Sequence, residues 1–193
     1  PTTIAAAGMG IRPSSTATDW LYALIWMREN LPPSPPDGPT VVASWWDYGY
    51  WITVIANRTS LADNGTINST QIKLIAKMFM SPEDEAVQIL KGFKATHVVV
   101  FTTVDTQGND YPWGEAGKFI WMIRIPGLNE SDYVTSEGKW TEYGKNTTLY
   151  KMMTYGKYRK MPNVQSTAQA YFEIFDYWTQ FDRYFNLVYY SKG

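Results

Sequence analysis

The residues best suited to chemistry fall within one stretch, Ser-Trp-Trp-Asp-Tyr-Gly-Tyr-Trp, which runs from Ser44 to Trp51. Its indoles can only donate hydrogen bonds, the ionised carboxylate of Asp47 can only accept them, and its phenol hydroxyls can do both. Mostly apolar residues border the stretch, at 41–43 and 52–55. Such a mixture of donors and acceptors inside an apolar segment is typical of a binding site for a small polar group.

Motifs for catalysis or metal binding are otherwise scarce. The single histidine, His97, lies in an apolar run, which favours a structural role, and with no cysteine in the chain it cannot form a zinc site alone. A glycine-rich phosphate loop, a nucleophile elbow and a His-Glu-X-X-His motif are all missing. The 18 carboxylates cannot be paired as glycosidase acid and nucleophile from sequence alone. We therefore expect no catalytic centre within this chain.

Composition limits the class of protein. The chain has 193 residues, of which 45% are hydrophobic, and this predicts one globular domain. A net charge of −1 and a pI near 5.9 give no electrostatic footprint for nucleic acid or an anionic membrane surface. The lack of cysteine leaves the redox compartment open. The 9 Trp, 14 Tyr and 8 Phe suit sugar or peptide recognition, but for any single aromatic residue a place in the core is the favoured explanation.

The elements on either side of the Trp-Trp-Asp stretch must position it. Thr16 or Thr18 is expected to cap a helix whose apolar face runs from Trp20 to Leu31, and a proline-rich connector ends that helix. A buried strand is predicted at Thr40–Ala43 and a helix at Tyr50–Ala56. The stretch would therefore lie at the carboxyl end of a strand, where open α/β folds bind ligands.

The remaining pattern is that of a mixed α/β, helix-rich protein, a single compact domain with a few short strands. An extended arm is expected at Pro1–Ser15. Further predicted elements are a strand at Arg58–Leu61, a helix at Gln71–Met80 with Ser69 or Thr70 near its start, a helix from Pro82 to Lys91 capped by Ser81, a strand at His97–Phe101, a helix from Pro112 to Ile125, a turn at Thr135–Lys139, a helix at Asn146–Met153 and a final strand at Phe185–Tyr190.

The pentapeptide Trp-Trp-Asp-Tyr-Gly, at 45–49, resembles the WWDYG signature of oligosaccharyltransferase catalytic subunits, the enzymes of asparagine-linked glycosylation. The segments 58–66, 118–125 and 146–152 resemble family stretches in the same order. The whole chain is similar to the C-terminal globular domain of an archaeal AglB-type or a eukaryotic-type subunit. The resemblance implies that residues 1–193 are one soluble domain at the end of a larger multispanning protein, on the extracytoplasmic face of the cell membrane.

A second family motif, DxxKxxx followed by Met or Ile, is matched by Glu115, Lys118 and Met122, with Glu in place of the family's Asp. Offsets of three and seven residues would place all three side chains on one face of the predicted helix. Without the resemblance, Glu115 and Lys118 would be interpreted as an ordinary surface ion pair, which stabilises a helix by a few tenths of a kcal/mol.

The resemblance implies a specificity site and not a catalytic one. The family holds the hydroxy amino acid at position +2 of the acceptor sequence Asn-X-Ser/Thr, where Asp47 would accept the hydroxyl proton, the two indoles would donate to its oxygen and Met122 would cover the threonine methyl group. The expected binding residues are Trp45, Trp46, Asp47, Lys118 and Met122, with Tyr48, Gly49 and Glu115 in support.

The resemblance also implies cofactors and partners. The catalytic carboxylates and the ligands of a divalent metal, Mn or Mg, would lie in membrane-side loops outside this chain. The expected partners are an acceptor polypeptide with Asn-X-Ser/Thr, a lipid-linked oligosaccharide and the protein's own transmembrane domain, with no nucleic acid. The alternative is a non-enzymatic carbohydrate- or peptide-binding module whose surface aromatic residues stack on the ligand.

Overall fold

A five-stranded mixed sheet is the framework of the protein, seen in a computed structural model that describes residues 15–103, 114–154, 167–174 and 184–190. The strands are β1 (Val41–Ala43), β2 (Thr59–Ser60), β3 (His97–Thr103), β4 (Thr167–Ile174) and β5 (Phe185–Tyr190). Their order across the sheet is β2-β1-β3-β4-β5. Strand β1 is parallel to both of its neighbours, whereas β4 is antiparallel to β3 and β5.

Helices account for most of the remaining described residues. They are α1 (Ser15–Asn30), α2 (Gly49–Val54), α3 (Ser69–Met80), α4 (Glu83–Gly92), α5 (Phe119–Arg124), α6 (Glu130–Tyr133), α7 (Glu142–Lys145) and α8 (Thr148–Thr154), with 3-10 turns at Trp46–Tyr48 and Glu115–Gly117. The prediction of a helix-rich mixed α/β fold is confirmed. None of the helices in the described ranges has the length and apolarity needed to cross a membrane.

Strand β1 lies between β2 and β3, and all of its residues are buried. Parallel strands covered on both sides are continuous apolar runs without alternation, which is what Val41–Ala43 and the Val-Val-Val-Phe of β3 show. Val42 pairs with Ser60 on one side and with His97 on the other. The predicted strands at 40–43 and 97–101 are therefore confirmed, and the chain leaves the carboxyl end of β1 directly into the 3-10 turn.

An aromatic cluster joins α1 to the segment that follows β1. The ring of Trp20 lies 4.5 Å from that of Tyr48, 5.4 Å from Trp51 and 5.5 Å from Phe101 of β3, measured between centroids. Each such pair contributes about 0.5–1.5 kcal/mol beyond burial alone. The cluster therefore fixes the start of α2 against both α1 and the sheet.

The buried side chain of Arg58 connects the carboxyl ends of α1 and α2. Its guanidinium donates hydrogen bonds to the carbonyl groups of Arg28 and Leu31 at the end of α1, and to those of Ala56 and Asn57 just after α2. These carbonyls have no partner within their helices, and a cation is favourable at a helix carboxyl end. Arg58 thus holds the far end of the helix that begins at Gly49.

Two predicted helix caps are wrong, that of the helix at Trp20–Leu31 and that of the helix at Pro82–Lys91, whereas Ser69 and Thr70 do lie at the start of α3. Helix α1 begins at Ser15, so Thr16 and Thr18 lie inside it. Helix α3 is capped by Asn68, whose Oδ1 accepts a hydrogen bond from the backbone N–H of Gln71 at 3.0 Å. Asn caps at least as well as Ser or Thr, and it lies at the position from which its side chain reaches that N–H.

Ser81 does not cap α4 either, because Pro82 occupies the cap position. The carbonyl of Ser81 instead accepts hydrogen bonds from the backbone N–H and the hydroxyl of Thr148, both at 2.8 Å. This long-range contact ties the start of α8 to the α3–α4 connection, and no local sequence pattern predicts it.

Strand β4 and the short helices α6 and α7 were not predicted. Apolar residues do alternate through Thr167–Ile174, at positions 168, 170, 172 and 174, and that alternation is the signal for the strand. The dense aromatic residues around it obscure the pattern. The turn at Thr135–Lys139 is confirmed, with Gly138 at φ +76°. Residues 1–14 of the predicted arm lie outside the described ranges.

The backbone of the neighbouring segment leaves no space for a side chain at Gly49, the first residue of α2. A Cβ there would overlap the carbonyl oxygen of Ala62 and the Cα of Asp63. We predict that Gly49→Ala lowers the free energy of unfolding of the purified chain by about 2–3 kcal/mol, measured by chemical denaturation, because backbone atoms must move to admit the methyl group.

The matched control is Gly92→Ala at the end of α4, where a Cβ would meet nothing within 4 Å. That variant should be neutral or more stable by up to about 1 kcal/mol, owing to the better helix propensity of alanine. Equal stabilities of the two variants would contradict the close packing of α2 on residues 62–63.

Candidate functional site

The Trp-Trp-Asp segment forms a tight turn at the carboxyl end of β1. The turn is closed by a hydrogen bond from the backbone N–H of Tyr48 to the carbonyl of Trp45 at 3.3 Å. Trp45 and Tyr48 are directed into the core and are 2% and 4% exposed, whereas Trp46 and Asp47 are half-buried. The turn therefore offers one indole and one carboxylate to a ligand while its other two aromatic rings anchor it.

Lys118 reaches this turn from a distant part of the chain. Its Nζ donates a hydrogen bond to the hydroxyl of Tyr48 at 3.0 Å and lies 3.4 Å from Oδ2 of Asp47. The same ammonium lies 4.5 Å from the centroid of the Tyr48 ring, close enough for a cation–π interaction. The two motifs, 70 residues apart in sequence at this contact, therefore meet in one place.

An open cleft of about 440 Å³ lies beside this contact. It is lined by Trp45, Trp46, Asp47, Gly117, Lys118, Trp121 and Ile125. The charged side chains of Asp47 and Lys118 lie together in one part of the lining, and most of the remaining wall is apolar. A cleft of this kind can hold a polar group and an adjoining apolar one.

The second motif does not lie on one helical face, contrary to the prediction of a continuous helix from Pro112. Pro112 is outside the described residues, Glu115–Gly117 is a 3-10 turn, and α5 begins only at Phe119 with Lys118 at its cap. Gly114 lies so close to β3 that a Cβ would overlap the carbonyl oxygen of Phe101. This approach bends the chain, so Lys118 reaches the cleft while Met122 is fully buried and does not line it.

Glu115 is buried completely, so its interpretation as half of a surface ion pair is wrong. Its Oε2 accepts a hydrogen bond from the backbone N–H of Phe101 at 2.8 Å. Burial raises the pKa of Glu115 to about 8, although the charge of Lys118 and the Phe101 N–H act in the opposite direction. The carboxyl is therefore protonated at neutral pH, and Asp47 is the carboxylate that balances the Lys118 ammonium.

Tyr48 is also held in its neutral form. Burial raises the pKa of its hydroxyl well above the ordinary value, and the nearby carboxyl groups of Glu115 and Asp47 raise it further. A neutral phenol hydroxyl can accept the hydrogen bond from Lys118 and still donate one of its own. Tyr48 therefore positions the Lys118 ammonium by a hydrogen bond and adds no second negative charge beside that of Asp47.

His97 is a core residue, as its apolar surroundings predicted. It is 6% exposed, its Nδ1 lies 2.9 Å from the hydroxyl oxygen of Thr96, and burial lowers its pKa to about 4. The ring is therefore uncharged at neutral pH. Nowhere in the described ranges do three His, Asp or Glu side chains come together in a way that could hold a metal ion. Within these ranges the side chains do not fit a metal centre.

Trp121, Ile125 and Gly117 line the cleft and were not predicted. Trp121 and Ile125 follow Lys118 by three and seven residues, which is as typical of one helical face as the offset of four that leads to Met122. The sequence alone does not decide between these two faces. The bend at Lys118 decides it, because it directs Met122 into the core and leaves the ring of Trp121 54% exposed.

Residues 39–106 match the family model of the STT3/PglB/AglB core domain. Over 165 residues the chain is 36% identical to the subunit STT3 of the dolichyl-diphosphooligosaccharide–protein glycosyltransferase from Saccharomyces cerevisiae. The chain belongs to the STT3/PglB/AglB family. The alignment covers 79% of the present chain and 21% of the yeast protein, so the chain spans about a fifth of the length of such relatives.

Solved structures of STT3/PglB/AglB proteins share the fold. The C-terminal globular domain of an oligosaccharyltransferase from Archaeoglobus fulgidus is 29% identical and has a TM-score of 0.54, covering 72% of this chain and 83% of that one. Another oligosaccharyltransferase from the same organism, 20% identical, was solved tethered with an acceptor peptide containing the NVT sequon (TM-score 0.50; 72% and 22% covered) and with Zn and sulfate (TM-score 0.54; 74% and 24% covered).

The protonated state of Glu115 gives a pH-dependent stability. Between its ordinary pKa of 4.5 and about 8, the folded chain keeps a proton that the unfolded chain loses, so this group makes the free energy of unfolding fall as pH rises. The slope approaches about 1.4 kcal/mol per pH unit. We predict that Glu115→Gln removes this dependence and becomes progressively more stable relative to wild type from pH 5 to about pH 8.

Urea denaturation of the purified domain across that pH range provides the measurement. The control is Glu137→Gln, which removes a carboxylate whose side chain is 71% exposed and should leave the pH profile parallel to that of wild type. Parallel profiles for wild type and Glu115→Gln would contradict the buried, protonated state.

Proposed function

We propose that this chain is the acceptor-recognition domain of an oligosaccharyltransferase that transfers a lipid-linked oligosaccharide to the asparagine of Asn-X-Ser/Thr. In this proposal the cleft beside Asp47 binds the hydroxyl of the Ser or Thr at position +2. The contact of Lys118 with Asp47 and Tyr48 carries the proposal, because it joins the two motifs at the polar end of one cleft. Membership of the family favours this function over a non-enzymatic carbohydrate- or peptide-binding module.

The polar end of the cleft suits a hydroxyl group, which has one donor and two acceptor lone pairs. Asp47 contacts Lys118 through Oδ2, so Oδ1 can accept the hydroxyl proton. Lys118 donates one N–H to Tyr48 and forms an ion pair with Asp47 at 3.4 Å, so a further N–H can donate to the hydroxyl oxygen. The indole of Trp46 supplies a second donor. Trp45, nearly fully buried, supports the turn and contributes to the cleft lining.

The apolar wall suits the methyl group that distinguishes threonine from serine. Trp121 and Ile125 face the cleft, and Met122 lies behind them in the core. Met122 therefore supports the methyl contact through the packing of α5. Covering one methyl group is worth about 1 kcal/mol, so threonine acceptors should be favoured over serine acceptors by a modest factor. Gly49 and Glu115 support the site through the close packing of α2 and the anchoring of the turn before Lys118.

The reaction itself is assigned to parts of the protein outside this chain. The residue at +2 lies about 7 Å along an extended chain from the asparagine that reacts, so the cleft orients the acceptor. The proposal places the catalytic carboxylates and the ligands of a divalent metal, Mn or Mg, in the transmembrane domain of the full-length protein, together with the lipid-linked oligosaccharide. This chain would then lie on the extracytoplasmic face of the membrane as a single C-terminal domain.

The role of Asp47 is tested in the full-length enzyme. We predict that Asp47→Ala lowers kcat/KM for an Asn-X-Thr peptide about 100-fold, because a hydrogen bond to a charged group contributes about 1.5–3 kcal/mol and its partner is left unpaired. Peptide glycosylation rates measure this change. Asp37→Ala, which removes an exposed carboxylate in the proline-rich connector, is the control and should react as wild type does. Wild-type kcat/KM in Asp47→Ala would rule out the proposed role.

A further inference from the structure

The cleft is much larger than the group that the proposed function places in it. A hydroxyl and a methyl group occupy a few tens of Å³, comparable with the share of about 30 Å³ that one water molecule takes in the liquid. The cleft measures about 440 Å³. The cleft therefore has room for more of a ligand than these two groups, and its lining continues from Asp47 and Lys118 to Trp121 and Ile125.

The walls of this additional space are apolar and exposed. Trp121 is 54% exposed although its ring is large and apolar, and Ile125, which is partly buried, lies one turn further on, directly after the end of α5. The guanidinium of Arg124 lies 5.8 Å from the Trp121 ring centroid and makes an ion pair with Glu130, so it flanks the ring without covering the cleft. Exposed aromatic residues in a cleft are the groups that most often anchor a bound chain.

The spacing along α5 matches that of an extended peptide. Helical rise places Trp121 about 4.5 Å and Ile125 about 10.5 Å beyond Lys118. In an extended chain, side chains two residues apart point the same way and are separated by about 6.6 Å. With the +2 side chain at Lys118, the side chain at +4 would therefore fall between Trp121 and Ile125.

The direction of the acceptor follows from where the asparagine must go. In the proposed function the asparagine reacts at catalytic groups outside this chain, so its side chain is not held on the apolar wall of the cleft. The segment that remains to run along α5 is the one that follows the hydroxy residue.

We propose that Trp121 and Ile125 form an apolar subsite for the acceptor side chain at position +4, two residues after the Ser or Thr. This inference rests on the proposed function, since it takes the +2 residue as the fixed point. It assigns to the cleft a preference for large apolar side chains at +4 that is separate from its requirement for a hydroxyl group at +2.

The test uses the full-length enzyme and peptides that differ only at +4, with Leu or Ser after Asn-Val-Thr-Ala. In the wild type, kcat/KM should be about tenfold higher for Leu than for Ser, as expected for burial of one aliphatic side chain. Trp121→Ala and Trp121→Gln should bring that ratio close to one. Peptides that carry the same pair at +3 should show no preference, because that side chain points away from the cleft.

Two comparisons make the result decisive. The control Tyr22→Ala removes an aromatic ring of similar exposure, 61%, outside the cleft lining, and it should keep the wild-type ratio at +4. The ratio of Thr to Ala at +2 is measured in every variant, and its loss in the wild type would defeat the proposed function itself.

Three results would overturn the inference while that Thr-to-Ala ratio stands. The first is a Leu-to-Ser ratio at +4 near one in the wild type. The second is a wild-type ratio in both Trp121 variants. The third is an equal loss of activity with every acceptor in those variants, which would show that Trp121 packs on another part of the full-length protein.

Discussion

The contact of one ammonium group, that of Lys118, with Asp47 and Tyr48 is the interaction on which the candidate site depends. It joins a turn that follows β1 to a turn that precedes α5, and the cleft lies between them. The charge balance is specific to these three side chains. Burial keeps Glu115 protonated and Tyr48 neutral, so Asp47 alone provides the negative charge at this point. A carboxylate held beside a fixed cation is ready to accept a hydrogen bond from a ligand without first reorganising.

The packing around the contact makes it rigid. Gly49 lets α2 lie directly against residues 62–63, and the Trp20 cluster presses the turn against β3. On the other side, Gly114 lies against Phe101, whose N–H holds the Glu115 carboxyl. Strand β3 therefore supports both halves of the cleft. A binding site held by packed side chains on a sheet loses little free energy to ordering when the ligand arrives.

Local patterns in the sequence predicted the elements but not the bend that shapes the site. The apolar runs of β1 and β3, the helical periodicity of α3 and α4 and the position of the Trp-Trp-Asp stretch after a strand are all encoded by neighbouring residues. The break at Lys118 is different, because it depends on the approach of Gly114 to Phe101, which lies 13 residues earlier and in another element. The glycines at 114 and 117 permit such an approach, but their presence in the sequence does not give its direction. For that reason the sequence predicts Met122 in the cleft and not Trp121, and the interpretation of Glu115 as a surface residue, which holds only without the family resemblance, is wrong because Glu115 is buried.

The central claim is that the cleft recognises a hydroxyl group, and the most direct measurement replaces that group alone. Valine has the shape of threonine with a methyl group in place of the hydroxyl, so peptides with Asn-Ala-Thr and Asn-Ala-Val differ in nothing else. We predict that the full-length wild-type enzyme glycosylates the valine peptide with a kcat/KM lower by about 10⁴-fold, as expected when a site built to hydrogen-bond a hydroxyl is left with unpaired polar groups. Values for the two peptides within about tenfold of each other, the range that packing differences alone can produce, would contradict the account.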